Sequence, residues 1–279
     1  MIKKIKNPTR RLAAGKKIKQ SAGDSTNEAV EKVKLARATT RPIFTDYLKI
    51  FDGFIEMHGD RAFGDDKAII GGIGYFSETP VTIIGIDKGK DIKDKLAKNF
   101  GMPHPEGYRK AMRLMKQAEK FGRPVICFVD TSGAYPGLEA EQRGQGEAIA
   151  RNLAEMMALR VPVLSIIIGE GGSGGALALA VANFVAMAEN AIYSVISPEG
   201  CASILWKDAT RVADACKNLK CTAQDLLELG VIEKIIPETN ADIIEGAKAT
   251  VAEFLKGFGK QNADKIVEQR YARFRQLGY

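Results

Sequence analysis

The densest chemical signal in the chain is a run of eight residues, Gly169-Glu170-Gly171-Gly172-Ser173-Gly174-Gly175-Ala176. It follows the apolar, β-branched run 163–168 and leads into the small-residue stretch 176–182, the order expected of a strand, a glycine turn and a helix start. Backbone N–H groups at a helix start lack intrahelical partners and lie at the positive end of the helix dipole. They can therefore hold an anion or a developing oxyanion.

Three motifs fit these letters, each with its own chemistry. Gly169-x-Gly171-x-x-Gly174 matches a dinucleotide fingerprint, and Glu189 stands about 20 residues on as a ribose-binding acid would. The stretch from 175 to 182 is too short for the crossover helix, however, and Glu170 would put a carboxylate where pyrophosphate must lie. Gly171-Gly172-Ser173-Gly174-Gly175 also spells the nucleophile elbow, but His58 and His104 both precede the serine, which excludes a Ser-Asp-His hydrolase in that chain order. No lysine follows the glycines, so the phosphate-binding P-loop fails too. What remains is a set of backbone donors with no side-chain base beside them.

The elements around the loop repeat one plan. Strands are expected to start near 81, 125, 163 and 192, each leading into a turn and a helix, with the turns opening on one edge of an α/β fold. Residues 68–76 and 81–86 read as a hairpin joined by 77–80. Residues 125–129 lead into the turn 130–137 and a helix over 141–158, and 192–196 lead into Ser197-Pro198, placed to start a helix. Helices are also expected over 27–38, over a face formed by Phe44, Tyr47, Leu48, Phe51, Phe54 and Ile55, from Tyr108 to Phe121, after Asp242 and from Ala263. Lys88, Lys90, Lys93, Lys95 and Lys98 alternate with aspartates and read as a solvated surface, and His58 beside a glycine turn reads as structural.

Composition narrows the class. With 279 residues, 45% of them hydrophobic and 27% charged, the chain has material for a sizeable core. No apolar run reaches the length of a membrane span and the basic start lacks a signal-type apolar segment, which points to a cytoplasmic protein. Cys127, Cys201, Cys216 and Cys221 show no C-x-x-C spacing and read as reduced, structural thiols, not a zinc site. Residues 1–37 hold eleven Lys/Arg against three acids, so the net charge of +7 belongs to this arm and the body is near neutral. The arm has no aromatic residue, and reads as a solvated or partner-docking segment more readily than as a nucleic-acid-binding one.

The loops taken together resemble one family. Residues 58–61, 99–109, 130–137, 169–176 and 197–207 resemble, in order and spacing, the alpha subunit of bacterial acetyl-CoA carboxylase carboxyltransferase, over about 33–237. Ser132 stands where that family usually has proline and Lys90 where it usually has arginine. The resemblance implies an α/β, crotonase-like spiral of repeated ββα units, here as a domain over 41–256 between a partly helical arm (1–40) and a helical tail (257–279). It implies transfer of a carboxyl group from carrier-bound carboxybiotin to acetyl-CoA, giving malonyl-CoA, with the biotin nitrogen itself able to take the substrate proton. It implies a zinc-ribbon beta subunit that holds acetyl-CoA, a biotin carboxyl carrier protein, a separate ATP-using biotin carboxylase, an alpha2-beta2 assembly, and no metal on this chain.

On that reading the N–H groups of Gly174 and Gly175 face the biotin oxygen, with Gly133 and Ala134 as second choice. Gly171 and Gly172 allow close backbone approach and positive φ, Ser173 is a turn residue, and Glu199 and Gly200 lie nearby. Two other readings stand beside it. One is a stand-alone crotonase-type acyl-CoA hydratase or isomerase with Glu170 or Glu199 as base, the other a basic-arm nucleic-acid-binding or scaffold protein.

Overall fold

The computed structural model describes residues 24–238 and 242–277. The basic stretch 1–23, on which the arm reading chiefly rests, lies outside them. In chain order, α1 (Asp24–Ala36) and α2 (Phe44–Tyr47) precede β1 (Asp52–Glu56), β2 (Ile69–Phe76) and β3 (Thr79–Ile86). Then come α3 (Ile92–Ala97), α4 (Pro105–Lys120), β4 (Val125–Thr131), α5 (Leu138–Gln142), α6 (Gln145–Ala158), β5 (Val163–Gly172) and α7 (Ser173–Leu177). The chain continues through β6 (Phe184–Ala188), β7 (Ile192–Ser194), α8 (Pro198–Trp206), α9 (Val212–Leu219), α10 (Ala223–Glu228), β8 (Lys234–Ile236), α11 (Ile243–Phe258) and α12 (Ala263–Arg275).

One mixed sheet runs in the order β1-β2-β3-β4-β5-β6-β8, with β7 paired to the far end of β5. The first three strands are antiparallel and the steps from β3 to β8 are parallel. Parallel strands need cover on both faces, which is why β4 is apolar up to Val129, the first half of β5 is apolar but for Ser165, and both are buried. Leu114 of α4 lies over Gly71 on one face, and Phe44 lies over Gly85 on the other. The hairpin is as expected: Ile70 pairs with Gly85, and the turn is tightened to Ser77 and Glu78, with Ser77 at φ +52°.

Three expectations are corrected. The helix expected around residues 44–55 ends as α2 and a 3-10 turn, Leu48–Ile50, and residues 52–56 form edge strand β1 instead. Pairing of Asp52 with Tyr75 and of Ile55 with Ile73 outweighs the helical spacing, Gly53 takes φ +59°, and Ile55 is left exposed. The helix expected over 141–158 is split by Gly144 at φ +82° into α5 and α6. The glycines 169–172 are not a turn but the last strand residues of β5, because β7 gives them partners: Glu170 pairs with Ile192 and Gly172 with Ser194.

The ends of the described chain are built in. Ala29, Val33 and Ala36 of α1 pack with Ile192, Cys216 and Cys221. Arg270 of α12 is fully buried, donating to the carbonyls of Met156, Leu159 and Val161 at 2.9, 2.7 and 2.8 Å. Among the described residues no helix is long and apolar enough to cross a membrane.

Candidate active site

The ends of β4 and β5 lie side by side, and the glycines there are what lets them touch. A β-carbon on Gly172 would stand 2.1 Å from the Ser132 carbonyl oxygen, and one on Gly175 would stand 2.5 Å from the Ala134 nitrogen. Only glycine fits either place. The first-choice donors, Gly174 and Gly175, and the second-choice residue Ala134 are thus brought together.

Their amides differ in availability. Gly172 is the N-cap of α7 and has no side chain to cap it, so the amides of Gly174 and Gly175 lie in an uncapped first turn without an intrahelical acceptor. The Ala134 amide has no backbone acceptor among the described residues. Gly133 drops out of the donor set, because its N–H already donates to Thr131 Oγ1 at 3.0 Å. Gly200 likewise spends its N–H on Ser197 Oγ, at 3.1 Å, where Ser197 caps α8 as its sequence position indicates.

The close approach expected of Gly171 and Gly172 holds, with Tyr193 against Gly171, but neither has positive φ. The left-handed residue is Ser173, at φ +53°, the turn residue that swings the chain from β5 into α7. Ser173 has no histidine partner, since His58 faces Asp65 at 3.1 Å and His104 stacks on Tyr135 at 4.2 Å. Beside Gly174 opens a cavity of about 450 Å³, lined by Leu177, Tyr193, Val195 and Phe274 among others.

Behind the amides lies a charge network that the sequence reading missed. Lys88, expected in solvent, stands 2.7 Å from Asp130 Oδ1 and 2.8 Å from Glu170 Oε2. Arg37 of the α1 end reaches the other Glu170 oxygen at 2.7 Å and also Glu199 at 2.7 Å. Burial alone would raise the Glu170 pKa, but Lys88 and Arg37 outweigh it and hold the group below the usual carboxylate range. The Arg37 hydrogen bond does the same for Glu199. Buried Asp130 is pushed the other way, since burial exceeds the pull of Lys88. A sign was available in the sequence: Asp130 and Glu170 each follow a long apolar run within a residue or two, and a buried acid calls for a cation. Among the described residues no three His, Cys, Asp or Glu side chains converge as a metal site.

A family model of acetyl co-enzyme A carboxylase carboxyltransferase-like proteins matches residues 4–278. The chain belongs to this family. Among carboxyltransferase relatives, the acetyl-coenzyme A carboxylase carboxyl transferase subunit alpha of Listeria monocytogenes is 55% identical over 262 residues, 91% of this chain and 82% of its own length. That of Streptococcus gordonii is 58% identical over 247 residues, 87% of this chain and 96% of its own.

Transcarboxylase 12S superposes with a TM-score of 0.69 at 17% identity, over 84% of this chain and 45% of that one, so this chain spans less than half of it. The beta subunit of P. aeruginosa geranyl-CoA carboxylase gives 0.62 at 17%, over 89% of this chain and 45% of that one. These likenesses place the carboxyltransferase-family chain in the crotonase-like fold.

Proposed function

We propose that this chain is the alpha half of an acetyl-CoA carboxylase carboxyltransferase, moving a carboxyl group from biotin to acetyl-CoA to give malonyl-CoA for fatty-acid synthesis. Family membership supports the reaction. The observation that carries the site is the pair of uncapped amides at the head of α7, with the Ala134 amide beside them.

The donor set suits a single carbonyl-type oxygen, and a β-carbon on Gly174 would meet only Ile149, at 3.4 Å, so the approach is open. Carboxybiotin, when bound, supplies the carboxyl group, and its ureido oxygen gains negative charge as that group departs. The Gly174 and Gly175 amides donate to that oxygen from fixed positions, and loss of one such donor typically costs about 2.7–4 kcal/mol. Ala134 is the third donor in reach. Glu170 and Glu199, both held ionised by cations, anchor Arg37 and are poor proton acceptors. This weighs against the hydratase or isomerase reading.

A beta subunit completes the enzyme. Leu138, Val195, Ile204 and Leu205 are 59–78% exposed, apolar surface of the kind that a second chain covers. In the finer reading that subunit carries a zinc ribbon and the acetyl-CoA, and the assembly is alpha2-beta2. Biotin arrives on a carboxyl carrier protein, a separate biotin carboxylase spends the ATP, and the complex works in the cytoplasm. The test is biotin-dependent malonyl-CoA formation by the purified chain with and without a co-expressed zinc-ribbon subunit. Formation only with both is expected, and turnover of an acyl-CoA by this chain alone would overturn the reading.

A further inference from the structure

The pairing of β4 with β5 slips just before the glycine run. Val129 faces Ile167 but Thr131 faces Gly171, so β5 carries two more residues than β4 over the same span. This bulge has its own supports. The Ile168 carbonyl accepts from Arg41 at 2.7 and 3.2 Å, and the Glu170 N–H donates to Asp130 Oδ1 at 2.8 Å. The same Asp130 oxygen meets the Lys88 ammonium, whose other partner is the Glu170 carboxylate. Bulges re-aim a strand. Beyond this one β5 still meets β4 at Gly171 and Thr131 while β7 replaces β6 on its other edge, and Gly172 and Gly175 come to lie against 132–134.

We propose that Lys88 is a positioning residue for carboxyl transfer: by clamping Asp130 to Glu170 it holds the β5 bulge closed and keeps the Gly174 and Gly175 amides aligned with that of Ala134. The proposal rests on the donor reading given under Proposed function. Lys88 touches no donor amide, so its effect passes through the two strand ends. Without the ammonium, two buried carboxylates face one gap and repel, and displacement of about 1 Å at a donor site costs on the order of 100-fold in rate.

The surrounding charges cannot replace it. Arg37 already serves the far Glu170 oxygen and Glu199. Lys98 is held by Asp87, 2.7 Å away, and by Asp94, and Arg41 is held by Glu238. The phenol of Tyr47 is buried and resists ionisation.

The test uses the reconstituted alpha-beta pair with Lys88→Met, close to lysine in length. We expect kcat to fall about 100-fold with both KM values within about threefold. We also expect kcat to recover as pH is lowered from about 8 to 6, because a proton shared between Asp130 and Glu170 restores a bridge, a recovery absent from the parent enzyme. A lower Tm with parental kcat per assembled pair and a parental pH profile would overturn the proposal.

Should Lys88→Met fail to assemble, Lys88→Met with Glu170→Gln leaves one buried carboxylate and an amide able to donate to it. That pair should assemble with at least a tenth of parental kcat, and an assembled pair below this would also overturn the proposal. Gly174→Pro separates the two ideas: if it is inactive while Lys88→Met is fully active, only the positioning role falls, and if it is fully active the donor reading itself falls.

Discussion

Gly175 and Ala134 meet backbone to backbone: a β-carbon at 175 would stand 2.5 Å from the Ala134 nitrogen and 2.8 Å from the buried Tyr108 hydroxyl. The contact joins the β4 loop to the head of α7, so it sets the spacing of the proposed donors. Neither neighbour is the free end of a flexible side chain.

Gly175→Ala should therefore lower stability by about 1–3 kcal/mol, as overpacking does, and reduce kcat in the reconstituted pair by more than its loss of folded protein explains. Urea denaturation and kcat per folded pair measure the two effects. Proline at 175 would add the same clash to loss of the amide, which makes it a poor probe of the donor.

Gly174 gives the cleaner probe, because its missing β-carbon would face only Ile149. Gly174→Ala keeps the N–H and should hold kcat within about fivefold, whereas Gly174→Pro removes it and should cost about 10²–10³ in kcat. Steady-state kinetics on both variants decide the matter, and equal losses would mean that bulk, not hydrogen bonding, is what the site rejects.

The contrast between these glycines shows what the sequence could and could not carry. The buried parallel strands were legible because cover on both faces demands long apolar runs, as at 125–129 and, with Ser165 alone interrupting, at 163–168. Ser197 and Asp242 were legible as helix starts because capping is local, and both side chains do accept from first-turn amides. The glycine run was legible as a place of close backbone approach, but its strand state was not, since that depends on β7 some twenty residues on. Lys88 looked like its solvated neighbours because nothing local distinguishes it, and only adjacency of the β3, β4 and β5 ends puts two acids around it. Residues 52–56 misled for the same reason: a helical spacing lost to a non-local strand pairing.

Asp60 explains part of the 58–61 motif and carries a pH prediction. Burial opposes its charge, yet amides of Ala62, Phe63 and Gly64 at 2.9, 2.8 and 3.0 Å and Arg109 at 2.7 Å bring its pKa down to about 2. The folded value lies below the unfolded one, so the stabilisation is complete above about pH 4 and is lost as pH falls through 2. Asp60→Asn should cost about 2 kcal/mol at pH 7, with the difference shrinking as pH approaches 2. Urea midpoints across that range measure it, and a gap independent of pH would refute the assignment.

Arg270 ties α12 to the body through carbonyls at the end of α6 and in the approach to β5. Burial lowers its pKa to about 10, so it remains charged at neutral pH. Arg270→Met would leave the buried carbonyls of Leu159 and Val161 without the donor that Arg270 gives them and should cost about 3–5 kcal/mol. Thermal denaturation checks this, and retention of parental Tm would show that α12 is not needed to hold the body together.

Glu199 decides between carboxyl transfer with a partner and acid–base chemistry by this chain alone. A general base works best with a pKa near the operating pH, but the Arg37 hydrogen bond moves Glu199 down, away from it. If Glu199 serves only to anchor Arg37, Glu199→Gln in the reconstituted pair should lower kcat less than tenfold, because the neutral amide still accepts a hydrogen bond from the guanidinium. A loss of about 10²–10⁴, the range set by removing a true base, would instead make Glu199 the proton acceptor and reopen the hydratase or isomerase reading.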